Sequence, residues 1–450
     1  MANSRGMLKI RVSPALAALA LLGILATGCG MPARLHAQRI EKLCARGTLE
    51  TASCDLAEEL LDKKGRPKES ADTAKLLELG ALFSEVGRYA DSNEVLEGVY
   101  RRYVASEEGP VISLRKTGAS LAEATISAGI SEYEPADFEK IYLHAIKAKN
   151  YLLLGDHEGA AVESRRAYHI ERALRDRVDE RKGKAASSSL PDGRVEEKTN
   201  LSPETRRRLQ SISSQYENPF AMVLSSAIHF LRGERDDALI EARRAAGVTP
   251  SGEVKKLLAA LEGEGEPPNL FVFVETDRAP SKFSIDIRIV NYSTNSIQKI
   301  SFPKYRPAEK RVYNVYAGGA ELEPIADVEL LALKEYEETL PWELLKTMTR
   351  AVSHSAKDAA LSREMKGFGG LIGTITTELM EGADTRSWTL LPQMVYFGAV
   401  KTGGPELLVS VNGRDGPRTM TAAVDGGKIN FIFISANRQG TRLHRVSFNP

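Results

Sequence analysis

Apolar residues change their rhythm along this chain. They run unbroken from Pro14 to Ala26, behind a start that carries Arg5, Lys9 and Arg11 and no acidic residue. From residue 29 to residue 266 they recur at spacings of three and four with few β-branched runs, the rhythm of amphipathic helices. From Leu270 the rhythm is two: Leu270, Val272 and Val274 oppose Phe271 and Phe273. Phe283, Ile285, Ile287 and Ile289 then alternate with Ser284, Asp286 and Arg288. The join, Gly263-Glu264-Gly265-Glu266-Pro267-Pro268-Asn269, has the Gly and Pro punctuation of a boundary. The pattern therefore divides the chain into 1–28, a helical part 29–266 and a β part 267–450. Arg181 to Pro203, with Ser187-Ser188-Ser189 and Pro191-Asp192-Gly193, keeps no apolar period and reads as a mobile excursion.

The helical part repeats itself. Gly80, Phe83 and Gly87 are matched in phase by Ala148, Tyr151 and Gly155, and by Ser226, His229 and Gly233. Small residues follow at Ser92, Ala160 and Ala238, and Pro250 closes the last unit. A small residue, an aromatic ring three later and a turn glycine four beyond match the tetratricopeptide pattern of about 34 residues. Gly87 and Gly155 lie 68 apart, so a degenerate unit is expected over 107–137; the 78 from Gly155 to Gly233 absorb the excursion.

In the β part, strands are predicted over Leu270–Glu275, Lys282–Asn291, Ile297–Phe302 and Arg311–Tyr316. Further strands are predicted over Ser387–Leu391, Val395–Val400, Glu406–Val411, Thr419–Val424 and Ile429–Ser435. Asp425-Gly426-Gly427 reads as a hairpin turn. A helical insertion spans about 327–381, opened by Asp327 as N-cap. The expected fold is multidomain, α then β: a tetratricopeptide-like α-solenoid followed by a β-sandwich-like domain with that insertion.

A basic start, a 13-residue apolar core and small residues before Cys29 describe a secretory signal peptide. Ala26-Thr27-Gly28-Cys29 resembles the bacterial lipobox, which implies cleavage before Cys29 and lipid attachment to it. Gly30 in place of Asp implies the outer membrane; the alternative is a soluble periplasmic protein. Without Arg5, Lys9 and Arg11 the 61 basic residues fall to 58 against 60 acidic ones, so the mature net charge is −2. Such a balance argues against an electrostatically driven nucleic-acid binder. In an oxidising compartment Cys44 and Cys54 are expected to form a disulfide worth ~2.5–3 kcal/mol, the alternative being two free thiols in a helical hairpin.

Asp137-Phe138-Glu139-Lys140, Asn150 to Asp156, Asn218-Pro219-Phe220 and Ala383-Asp384-Thr385-Arg386-Ser387-Trp388 resemble an uncharacterised bacterial family. Its members are exported lipoproteins with tetratricopeptide-like helices and a C-terminal β-domain. The resemblance covers about 76–436 and implies an envelope location and no established reaction.

Signals of chemistry are sparse. Histidines 36, 144, 157, 169, 229, 354 and 444 never pair at metal-ligand spacing, and neither a Gly-x-Ser-x-Gly elbow nor a phosphate-binding Gly-x4-Gly-Lys loop occurs. Gly367 to Gly373 lacks the strand and cation of a nucleotide loop and reads as close packing. Ser296-x-x-Lys299 and Lys401-Thr402-Gly403 spell two motifs of penicilloyl-serine transferases, but Ser296 falls between strands rather than at a helix start. No catalytic residue, metal or cofactor is therefore expected. The repeat pattern assigns Tyr142, Lys149, Leu152, Phe220, Val223 and Phe230 to a concave face that a partner, another helix or the β part must cover. Asp384, Arg386 and Trp388 form either a surface recognition cluster or an ion pair and ring that fix the β part to its helical insertion. The functional expectation is a non-catalytic scaffold binding envelope proteins, with the membrane held through the N-terminal lipid. Alternatives are glycan or small-ligand binding by the β part, or an envelope hydrolase with dispersed residues.

Overall fold

The computed structural model describes residues 35–108, 132–186, 203–212, 214–291, 296–339 and 383–450. The signal segment, Cys29, most of the degenerate repeat, the core of the Ser-rich excursion, Gly367–Gly373 and most of the helical insertion lie outside these residues.

Helices come first: α1 (His36–Ala45), α2 (Leu49–Leu60), α3 (Thr73–Glu85), α4 (Tyr89–Glu108), α5 (Asp137–Leu153) and α6 (His157–Ala186). After them come α7 (Pro203–Leu209), α8 (Pro219–Leu231), α9 (Arg235–Val248) and α10 (Gly252–Glu262). The α3–α4, α5–α6 and α8–α9 pairs turn at Gly87, Gly155 and Gly233, with φ of +84°, +82° and +73°. Only glycine takes that left-handed conformation without a steric penalty. The small residues earn their places by contact: a Cβ on Gly80 would meet Leu96 Cδ2 at 2.5 Å. Ser92 Oγ donates to the Gly80 carbonyl at 2.7 Å, and Ser226 Oγ to that of Ala238 at 2.8 Å. Asn218-Pro219-Phe220 is a helix start: Asn218 Oδ1 accepts from the Phe220 and Ala221 amides at 3.0 and 3.3 Å, and Pro219 opens α8. Arg181–Ala186 continues α6, so the excursion begins later than its lost apolar period predicts.

The first strand opens eight residues after the last of these helices, from Glu262 to Leu270. β1 (Leu270–Thr276), β6 (Glu323–Asp327), β7 (Met394–Val400), β10 (Ile429–Asn437) and β11 (Gly440–Phe448) make a sheet of order β11-β10-β1-β7-β6. β1 runs parallel to β10 and antiparallel to β7. β4 (Val312–Ala317), β5 (Ala320–Glu321), β8 (Glu406–Gly413) and β9 (Gly416–Ala423) form a second sheet of order β5-β4-β8-β9. β2 (Ser281–Asn291) pairs with β3 (Ser296–Arg306) as a two-stranded arm. There Pro303 is tolerated, because a two-stranded ribbon has only edges. A helix over 328–339 opens the insertion.

β1 is buried on both faces. Leu270, Val272 and Val274 share a core with Val315, Val409 and Val411 of the second sheet. Phe271 and Phe273 face the helices, where Phe273 meets Phe220 edge-on at 5.7 Å and Phe271 lies 5.8 Å from Phe230. Three expectations fail here. Ser387–Leu391 is not a strand but an unpaired segment ending in a turn. Asp425-Gly426-Gly427 carries the chain from the second sheet to the first instead of closing a hairpin. The last strand, β11, lies beyond the predicted set, its Thr441 to Ser447 lacking a clear apolar alternation.

Candidate functional site: the seam between helices and sheet

The expected concave face is occupied by the chain's own sheet. Tyr142, Leu152, Phe220 and Val223 are fully buried, and Tyr142 stacks on Phe220 with ring centroids 5.7 Å apart. Lys149 Nζ reaches both oxygens of Glu275 on β1, at 2.9 and 2.8 Å. Phe230 is half-buried against Phe271. This corrects the assignment of these six residues to a partner groove: the apolar stripe on α5 and α8 has its complement in the phenyl face of β1 and β10, which buries it more fully than a transient partner needs to.

Asp384, Arg386 and Trp388 do come together, and among the described residues their ties run to the helical part. Arg386 clasps Asp384 (Nη2 to Oδ2, 2.6 Å) and Asp72, the N-cap of α3 (Nη1 to Oδ2, 2.8 Å), while its guanidinium lies over the Tyr133 ring. Trp388 is 1% exposed and its amide donates to Glu139 Oε1 at 2.7 Å. The cluster binds the segment before β7 to α3 and α5. Burial opposes ionisation of Asp384, yet Arg386 overcomes it and holds the carboxyl below the usual range.

The seam holds further charged groups that sequence reading did not single out. Glu78 on α3 is fully buried; its Oε1 accepts from the Thr389 amide and hydroxyl at 2.7 Å each, and its Oε2 from the Leu390 amide at 2.9 Å. His36 Nε2 on α1 donates to the same carboxylate at 3.2 Å. Glu85, at the end of α3, receives Arg278 at 2.7 Å, Asn437 Nδ2 at 2.7 Å and Ser435 Oγ at 3.0 Å. Burial alone would raise its carboxyl, but Arg278 and the two neutral donors lower it below its ordinary value. His444 Nε2 donates to the Glu85 carbonyl at 3.1 Å, so Nδ1 is the acceptor for the Tyr89 hydroxyl at 2.6 Å. Burial, with Lys149 nearby, lowers the His444 pKa, and burial pushes the Tyr89 phenol up to about 12. A cleft of about 40 Å³ opens among Lys149, Glu275, Arg278, Ser435 and His444.

Cys44 and Cys54 are both free thiols, which corrects the disulfide. Cys44 points from α1 into the core with Ile40, whereas Cys54 lies on the exposed face of α2. Burial pushes the Cys44 thiol up to about 11. His229, Glu234 and Asp237 converge at the α8–α9 turn with ligand atoms within 4.8 Å of one another. Arg232, 2.9 Å from Glu234, supplies the positive charge there, and with His229 it holds the Glu234 carboxyl down at about 2. Ser296 sits in β3 and Lys401 in the loop after β7, apart from any helix start, so the two transferase-like motifs do not assemble. No helix among the described residues is long and apolar enough to cross a membrane. Comparison with known protein families, with curated proteins and with solved structures finds no match.

Proposed function

We propose that this chain is a non-catalytic scaffold of the bacterial envelope, anchored through a lipid on Cys29 in the outer membrane and facing the periplasm. In this reading the helices form a tetratricopeptide-like solenoid and the two larger sheets a β-sandwich-like domain, as in the lipoprotein family that the sequence resembles. The observation that carries it is the use made of charge at the seam. Glu78, Glu139 and Arg386 tie the helices to the segment before β7, and Glu85 ties them to β10, so these charges hold the two parts together rather than move protons. With the concave face filled, envelope proteins meet the outer faces, where Leu154, Val162 and Ile240 are exposed. Photo-crosslinking residues at Val162 and Ile240, in intact cells, should capture a recurrent set of proteins that the same residue at Tyr142 does not. Recovery of purified cell wall but of no protein would sink the scaffold.

A second reading, glycan or small-ligand binding, draws on the outer face of the second sheet. There Tyr316, Ser410 and Thr419 stand in register across three strands, beside Asn314, Asn412 and Thr421, a polar face on which Glu321 accepts from Asn314 Nδ2 at 2.6 Å. Binding of soluble cell-wall fragments that Tyr316→Ala abolishes would favour this reading over the first.

A further inference from the structure

Residues 383–391 cross the helices as an extended strap. None of them joins a sheet, and 383–388 carry no regular structure. What holds the strap is a row of side chains from the helical part. Asp72 takes the Arg386 guanidinium, Tyr133 lies beneath it, Glu139 takes the Trp388 amide, and Glu78 takes the amides of Thr389 and Leu390 together with the Thr389 hydroxyl. Glu139 is itself fixed by the Tyr133 hydroxyl at 2.5 Å and the Ala136 amide at 2.9 Å. Buried carboxylates that read the backbone amides of an extended segment, beside an aromatic anchor and an arginine clasp, are the parts of a peptide-recognition site.

We propose that the cleft between α3 and α5 is a receptor for extended polypeptide, and that the strap is its resident, exchangeable ligand. The partner it fits is a protein segment with Arg, then an aromatic residue two positions on, then a hydroxyl residue. Two features make exchange reasonable. The strap is fastened to the β part at its C-terminal end, where the Leu390 carbonyl accepts from Arg278 Nη1 at 2.9 Å and the Leu391 carbonyl from the Ala279 amide at 2.8 Å. The resident ligand is also imperfect: the Trp388 indole N–H and the Ser387 hydroxyl are buried and find no partner among the described residues. A competing segment that leaves no such orphan holds the cleft better. Only the choice of a protein as partner rests on the scaffold reading.

The test uses the full chain and a fluorescein-labelled peptide with the sequence of residues 383–391, followed by fluorescence anisotropy. A strap tethered in place competes at an effective concentration of ~1 mM, so a peptide of ~10 μM intrinsic Kd is weakened about a hundredfold by the parent chain. The chain carrying Arg386→Ala with Trp388→Ala should therefore bind the peptide tens of times to about a hundredfold more tightly than the parent. Adding Glu78→Gln and Glu139→Gln to it should remove that gain. Where circular dichroism shows the double variant unfolded, Arg386→Ala alone, which keeps the buried ring, takes its place with the same direction of change. Equal binding by parent and loosened chain, no binding by a folded loosened chain, or equal binding of a scrambled peptide would each overturn the receptor. Any of these leaves the crosslinking test of the outer faces standing, so the two failures are distinguishable.

Discussion

Glu78→Gln exchanges a fully buried carboxylate for an amide of the same shape, which makes it a clean probe of the seam. The carboxylate accepts four hydrogen bonds, from His36, from the Thr389 amide and hydroxyl, and from the Leu390 amide, at 2.7 to 3.2 Å. As an amide, one of its two oxygens becomes a donor facing a donor. If the nitrogen takes the Oε2 place, the Leu390 N–H is left buried and unpaired, at a cost of ~1–3 kcal/mol. The remaining bonds lose their charge assistance, roughly half the strength of each. Because Glu78 has no exposed surface, water cannot make good either loss. The sum is about 2–4 kcal/mol, borne locally by the strap. Native-state hydrogen exchange reads this without assuming that so long a chain unfolds in one step. The Thr389 and Leu390 amides should lose roughly thirtyfold to several-hundredfold in protection, at a factor of ten per ~1.4 kcal/mol. Amides of Phe431 and Phe433, on the far strand β10, should change far less. A loss under about threefold at Thr389 and Leu390, or an equal loss throughout the sheet, would refute the idea that Glu78 acts as a local clasp.

Thiol titration of the native protein should find one reactive group, Cys54, and a second, Cys44, only after denaturation; a single blocked pair released by reductant would restore the disulfide. Gly155→Ala forces a Cβ into a left-handed turn that has open space but a φ of +82°, so a loss of ~1–2 kcal/mol is expected, and Gly155→Asn should lose less. Gly80→Ala, whose Cβ would lie 2.7 Å from Leu96 Cγ, should cost ~1–3 kcal/mol and be partly relieved by Leu96→Val, as thermal midpoints of the two single variants and the double would report. Burial lowers the pKa of both His144 and His444, with Lys147 and Arg166 adding to it at the first and Lys149 at the second. The unfolded chain then takes up protons first, so the stability these rings contribute is present above pH ~6.5 and lost as pH falls through it. His444→Gln should flatten the fall in thermal midpoint between about pH 7 and 5; an unchanged slope would remove His444 from the account.

How much of this was legible depends on whether a signal is local. A turn glycine needs only its own φ to be understood, so Gly87, Gly155 and Gly233 announce three helix pairs from the sequence. The alternation in Phe283–Ile289 likewise carries its own meaning, and so does the boundary between Glu262 and Leu270. Glu78 and Glu139 carry none, because a glutamate in a helix ordinarily faces water. Their partners are the backbone amides of Trp388, Thr389 and Leu390, which lie 249 to 312 residues away and have no side-chain signature.

One signal was nonetheless present. In α3 nearly every residue from Thr73 to Glu85 is buried, and in α5 the buried set includes Glu139, Lys140, His144, Lys147 and Lys149. Charges set within an apolar helix face, here one to four residues apart along α5, are too costly to bury unpaired, so each predicts a partner on whatever covers the helix. His144 and Lys147 find theirs nearby, in Glu163 of α6 at 2.6 and 2.9 Å. Glu139 and Lys149 find theirs on the β part, at Trp388 and Glu275. The side of α5 that carries Lys149 was therefore committed to an internal cover by its own charge, since a groove kept open there for a passing partner would leave Lys149 without its carboxylate whenever the partner left.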